Sequence, residues 1–123
     1  MKNTIIWFEI NVADLDRAKK FYDHVLQTNI RKEEMEGYPP MGIIPDEGVN
    51  GALVEDEEYE APEHSGVMLY FDGSSGINPY LERVEEAGGE VVVPRSFVNE
   101  SVGYWAAFSD LDVNLLAFYE PPQ

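Results

Sequence analysis

The sequence contains no cysteine, which excludes disulfides, thiolate nucleophiles and cysteine-based zinc or iron–sulfur sites. Basic residues are scarce: 8 Lys and Arg face 24 Asp and Glu, a formal net charge of −16 at pH 7. That balance repels phosphate backbones and anionic lipid surfaces, so neither nucleic acid nor a membrane is expected as a partner. No apolar run approaches the roughly 18 residues of a membrane span. Residues Met1 to Trp7 lack the apolar stretch and cleavage site of a signal peptide. What is present is 123 residues, 44% hydrophobic and 26% charged, a composition able to build one core. The expectation is an acidic, soluble, cytoplasmic single domain.

The charge is uneven. Residues 1–32 hold six bases and four acids, whereas residues 33–123 hold only Arg83 and Arg95 against twenty acids. The densest acidic stretch runs from Glu55 to Glu63. It lacks the alternating acids and turn glycine of a calcium loop, so it reads as a solvated linker.

Thr4 to Val12 is β-branched and aromatic and reads as a buried strand. Asp14 is a candidate N-cap, followed at helical spacing by Leu15, Ala18, Phe21, Tyr22, Val25 and Leu26. Short extended segments follow near 29–35, 40–45 and 50–55. After the acidic linker the order restarts with a strand at 66–71. A helix then starts at Asn78-Pro79, carries Tyr80, Leu81, Val84 and Ala87, and closes at Gly88-Gly89. Strands at 90–93, 103–108 and 114–119 complete the second half. The chain is therefore read as α+β, a βαβββ unit made twice (about 1–55 and 65–120). The phrase Val49-Asn50-Gly51-Ala52-Leu53 returns in altered form as Val113-Asn114-Leu115-Leu116-Ala117. One half could hardly bury its own sheet face, so the halves are expected to form a curved mixed sheet or open barrel around a cavity.

Three phrases carry a family resemblance. Val12-Ala13-Asp14-Leu15-Asp16-Arg17-Ala18-Lys19-Lys20-Phe21-Tyr22 resembles the strand-to-helix phrase of the vicinal-oxygen-chelate superfamily, which includes glyoxalase I, extradiol dioxygenases and bleomycin-resistance proteins. Leu81 to Val91 is similar to that family's second helix and following strand. Phe108-Ser109-Asp110-Leu111-Asp112-Val113-Asn114 is similar to its F-x-D-P-D-G-N turn, with Leu111 and Val113 departing from the usual Pro and Gly. The resemblance implies a homodimer and, in metal-dependent members, a divalent ion held by four strands for Lewis-acid chemistry. It places Trp7, Leu53, Met68 and Ala117 at the four ligand positions, and none of these side chains binds a hard cation appreciably. No metal or other cofactor is therefore expected.

Glu9 is the foremost candidate for chemistry. Alternation puts it on one strand face with Trp7 and Asn11. In an aromatic cavity, desolvation would raise its pKa and suit it to general base work or to gripping a ligand donor. The alternative is a structural carboxylate satisfied by a backbone amide or an arginine. Trp7, Glu9, Asn11, Met68, Tyr70, Ala117 and Tyr119 are the candidate ligand-binding residues. His24 reads as a surface residue, and His64 could reach a ligand only if the inter-half loop folds over the cavity. Glu120 reads as a surface acid at a frayed end. The favoured function is metal-independent binding of a small molecule in an aromatic-lined cavity. The rivals are a metal-dependent enzyme of lyase or dioxygenase type with relocated ligands such as Glu9 and His64, and a protein-interaction subunit with a vestigial cavity.

Overall fold

Period-two alternation in Trp7–Val12 sends Phe8, Ile10 and Val12 to one side and Trp7, Glu9 and Asn11 to the other. The computed structural model, which describes Ile5 and residues 7–58 and 68–123, builds a sheet from that alternation. The chain divides into two units, Met1–Glu60 and Ala61–Gln123. The first contains β1 (Trp7–Val12), α1 (Leu15–Leu26), β2 (Arg31–Glu33), β3 (Met41–Ile44) and β4 (Asn50–Glu55). Its strands lie in the order β1-β4-β3-β2, with β1 parallel to β4 and the other pairs antiparallel. Leu15, Ala18, Phe21, Tyr22 and Val25 form the buried stripe of α1. They face the side of the sheet that carries Ile10, Val12, Ile44 and Leu53, all buried. Gly51 pairs with Phe8, and a Cβ there would come within 2.5 Å of the Phe8 ring.

The second unit repeats the order: β5 (Tyr70–Asp72), α2 (Ile77–Glu86), β6 (Glu90–Asn99), β7 (Gly103–Ser109) and β8 (Leu115–Glu120). Its sheet runs β5-β8-β7-β6, again with the first pair parallel. Ile77, Leu81 and Val84 of α2 are buried, as are Ala106, Phe108, Leu116 and Phe118 of the sheet. No helix among the described residues is long and apolar enough to cross a membrane.

The fold is α+β with two βαβββ modules, as the order of elements predicts. The strand ladders make two four-stranded mixed sheets, each within one unit and neither closed on itself. The strand expected at 90–93 instead continues to Asn99, interrupted by register shifts between Val91 and Val93 and between Val93 and Ser96. Pro94 masks it in the sequence, but proline is tolerated at irregular edge-strand positions, and β6 is an edge strand. Helix α2 begins at Ile77, not at Asn78-Pro79. Proline is accommodated within the first turn because its missing N–H would have no intrahelical acceptor there.

The two units share a device that the sequence comparison misaligned. Glu55, ending β4, accepts a hydrogen bond from the Leu15 N–H at the start of α1 (2.9 Å), and Glu120, ending β8, accepts one from the Ile77 N–H at the start of α2 (2.9 Å). Both glutamates place negative charge at a helix N-terminus. Matching them aligns Ala52 with Ala117. The repeated Val-Asn phrase aligns Leu53 there instead, and it is one residue out of register. Asn50 is already in a strand, whereas Asn114 belongs to the turn before β8.

That turn is organised by the buried Asp110. Its Oδ1 accepts from the backbone N–H groups of Asp112 (2.9 Å) and Asn114 (2.8 Å), and its Oδ2 from the Asn114 side-chain amide (2.9 Å). Val113 is thereby held at φ 61°, a left-handed conformation that is costly for a β-branched residue. Its side chain is 64% exposed, so little packing offsets the strain. Val113→Gly is expected to raise stability by about 1 kcal/mol, the strain relieved less the added unfolded-state entropy. A urea unfolding midpoint that stays put or falls would show that the turn is not strained at this residue.

Candidate functional site

In the second unit the strand register collects an aromatic surface on the side of the sheet facing away from α2. Tyr70 pairs with Ala117, Asp72 with Tyr119, and Trp105 with Tyr119, so these side chains share one face. A pocket of about 680 Å³ lies there, lined by Tyr70, Phe71, Asp72, Val98, Val102, Trp105 and Tyr119. The Tyr119 hydroxyl donates to the Val102 carbonyl and ties β8 to the turn between β6 and β7. Asp72 is the one ionised carboxylate in this lining. The Ser74 hydroxyl, and secondarily the Ser74 backbone N–H, donate to it and hold its carboxyl below the usual carboxylate range.

In the first unit Trp7, Glu9 and Asn11 do share a face, together with Asn50, Ala52 and Val54 of β4. Glu9 is exposed, and it is satisfied by the Trp7 indole, whose Nε1 donates to Oε2 at 3.2 Å. Among the candidates, Tyr70, Ala117 and Tyr119 come together in the second unit, with Met68 half-buried just ahead of β5. Trp7, Glu9 and Asn11 group in the first. His24 is exposed on α1. His64 and the acidic residues Glu60 and Glu63 lie outside the described residues.

Glu120 corrects the sequence reading outright. It is only 4% exposed. Its two carboxylate oxygens take Arg95 Nε (3.1 Å) and Nη2 (2.6 Å), and Oε1 also takes the Ile77 N–H. The Arg95 guanidinium in turn lies 3.6 Å from the centre of the Tyr104 ring. The Arg95 guanidinium holds the Glu120 carboxyl below its ordinary value. Strand β8 runs to Glu120, so pairing with β7 carries the residue into the core edge where a free chain end would have frayed.

The four positions that the resemblance assigns to metal ligands do not fit a divalent ion. Trp7, Met68 and Ala117 offer no hard donor. Leu53 is fully buried on the α1 side, opposite to Trp7. A one-residue slip inverts the strand face, and the residue on the Trp7 side is Ala52, which has no donor either. Among the described residues no group of three or more His, Asp and Glu side chains stands close enough to hold a metal.

Asp72, Val98, Val102 and Trp105 are pocket residues that the sequence reading did not single out as ligand-binding. Asp72 was legible in principle, two positions beyond Tyr70 on an alternating strand. Val98 and Val102 were hidden by the bulged continuation of β6.

A family model, Glyoxalase/Bleomycin resistance protein/Dioxygenase superfamily, matches residues 4–118. No functionally curated protein matches the sequence. Among solved structures, the chain is similar to the hypothetical protein SA1046 from S. aureus, with 28% identity, 98% of each chain covered and a TM-score of 0.71. It is also similar to a glyoxalase/bleomycin resistance protein from Albidiferax ferrireducens T118, at 19% identity, 98% and 100% coverage and a TM-score of 0.75. A third is a variant of the fosfomycin resistance protein FosX from Listeria monocytogenes, complexed with Mn(II) and 1S,2S-dihydroxypropylphosphonic acid. It shows 15% identity, 98% and 94% coverage and a TM-score of 0.70.

Proposed function

Because the chain belongs to the Glyoxalase/Bleomycin resistance protein/Dioxygenase superfamily, we propose that it is a metal-independent member of it that binds a small molecule in the aromatic pocket of its second unit. The observation that carries this reading is the pocket itself. Tyr70, Trp105 and Tyr119 supply flat apolar surface, Val98 and Val102 close one side, and Asp72 adds a single charge. Concave, mostly apolar sites with few polar groups are the usual form of small-ligand sites. The lack of hard donors at Trp7, Ala52, Met68 and Ala117 supports binding without a metal, since a divalent ion there would have no anionic or imidazole partner.

Two measurements test this. Elemental analysis of protein purified without chelators is expected to find Ni, Zn, Fe and Mn each below about one-tenth of an equivalent per chain. A stoichiometric amount of any of them would overturn the metal-independent reading. Titration with 1-methylnaphthalene, followed by the Trp105 indole N–H resonance, is expected to show saturable binding that Tyr70→Ala weakens about fivefold or more. Tyr70 is 57% exposed, so its removal costs the fold little. Undiminished affinity in that variant would remove the pocket from the argument.

A further inference from the structure

Resting on the pocket reading above, we propose that the ligand is an organic cation with a flat aromatic body, its positive charge held between the Asp72 carboxylate and the faces of the pocket aromatics. Three independent observations lead there.

The first is the lining. An aromatic ring presents a negative face, and a cation within about 6 Å of it is attracted by roughly 0.5–2 kcal/mol, depending on desolvation. Tyr70, Trp105 and Tyr119 stand on the same sheet face as Asp72. A carboxylate beside several rings is complementary to a cation and repels an anion.

The second is the way Asp72 is held. Both hydrogen bonds from Ser74 fall on Oδ1, at 2.9 Å from the backbone N–H and 2.5 Å from the hydroxyl. They fix the carboxylate, keep it ionised, and leave Oδ2 without a hydrogen-bond donor among the described residues. A preorganised charge of this kind gives up little on meeting a ligand.

The third is the charge around the pocket. Residues 61–123 contain ten acids and two bases, a balance of −8 with histidine neutral. Both bases are engaged elsewhere. Arg95 is bound to Glu120, and Arg83 lies over the Tyr80 ring at 4.8 Å. No lysine or arginine lines the pocket. The field of the whole unit therefore concentrates cations near it and excludes anions.

The test uses three probes of nearly one shape: the cation 1-methylquinolinium, its neutral isostere 1-methylnaphthalene, and the anion 1-naphthoate. Each is titrated into the full chain at low salt. The cation is expected to bind about tenfold more tightly than the neutral probe and to lose that advantage as salt screens the attraction. The anion should bind least well. Asp72→Asn keeps an acceptor oxygen for Ser74 and removes the charge. It should cost the cation about tenfold and leave the neutral probe within about twofold. If all three probes bind equally and Tyr70→Ala weakens them together, the pocket reading stands and the cation inference falls. An Asp72→Asn variant that binds the cation as well as the parent also overturns it. If none of the probes binds, both readings fail.

Discussion

Phe118→Ala is expected to lower the free energy of unfolding by about 4 kcal/mol, a large share of the roughly 5–15 kcal/mol typical of a domain. Phe118 is wholly buried at the middle of β8, the strand that joins β5 to β7. Its ring centre lies 5.3 Å from Phe108, 4.6 Å from Tyr80 and 5.7 Å from Phe71. Truncation would remove the ring's transfer free energy and leave a cavity between two sheet aromatics and helix α2, which cannot close without moving the helix. Phe97 is the control. It is 59% exposed on the edge strand β6, and Phe97→Ala should cost less than about 1 kcal/mol. Urea unfolding of both variants checks the pair. A loss under about 1 kcal/mol for Phe118→Ala would show that the aromatic cluster does not bear the stability of the second unit.

The second large effect concerns Glu120. Glu120→Ala removes three hydrogen bonds at once, two from Arg95 and one from the Ile77 N–H. It leaves the first amide of α2 unsatisfied in a buried setting. The expected loss is about 2–3 kcal/mol. Glu55→Ala removes a single helix-end bond from a half-buried carboxylate, and about 1 kcal/mol is expected. The pH dependence follows from the same contacts. Arg95 holds the folded-state value of Glu120 below the ordinary 4.5, so the unfolded chain takes up the proton first as pH falls. The stabilisation is complete above the unfolded value and is lost as pH drops from about 4.5 through the folded value. The stability difference between the parent and Glu120→Gln should be flat near neutrality and shrink in that acid window. A difference that grows on acidification would mean that the Arg95 pair does not favour the charged form.

Much of the architecture is legible in the sequence. Helix α1 is written in Asp14 and the spacing of Leu15, Ala18, Phe21, Tyr22 and Val25, because capping and a 3.6-residue apolar period are local properties. The doubled βαβββ order was readable for the same reason, and so was the shared face of Trp7, Glu9 and Asn11. Composition alone set the charge of −16 and the absence of cysteine chemistry. Register and burial are not local. Whether β4 turns Ala52 or Leu53 toward the Trp7 side depends on which atoms pair across strands, and a one-residue ambiguity inverts the answer. The bulges let β6 run past Pro94, which places Val98 beside the pocket. Long-range pairing with β7 carries Glu120 from an apparent chain end to Arg95 and the start of α2. Tertiary structure likewise set the exposed Glu9 against the Trp7 indole and the exposed Asp72 beside the pocket aromatics. Sequence patterns record the preferences of neighbours along the chain, and only cross-strand pairing decided which carboxylate met which partner.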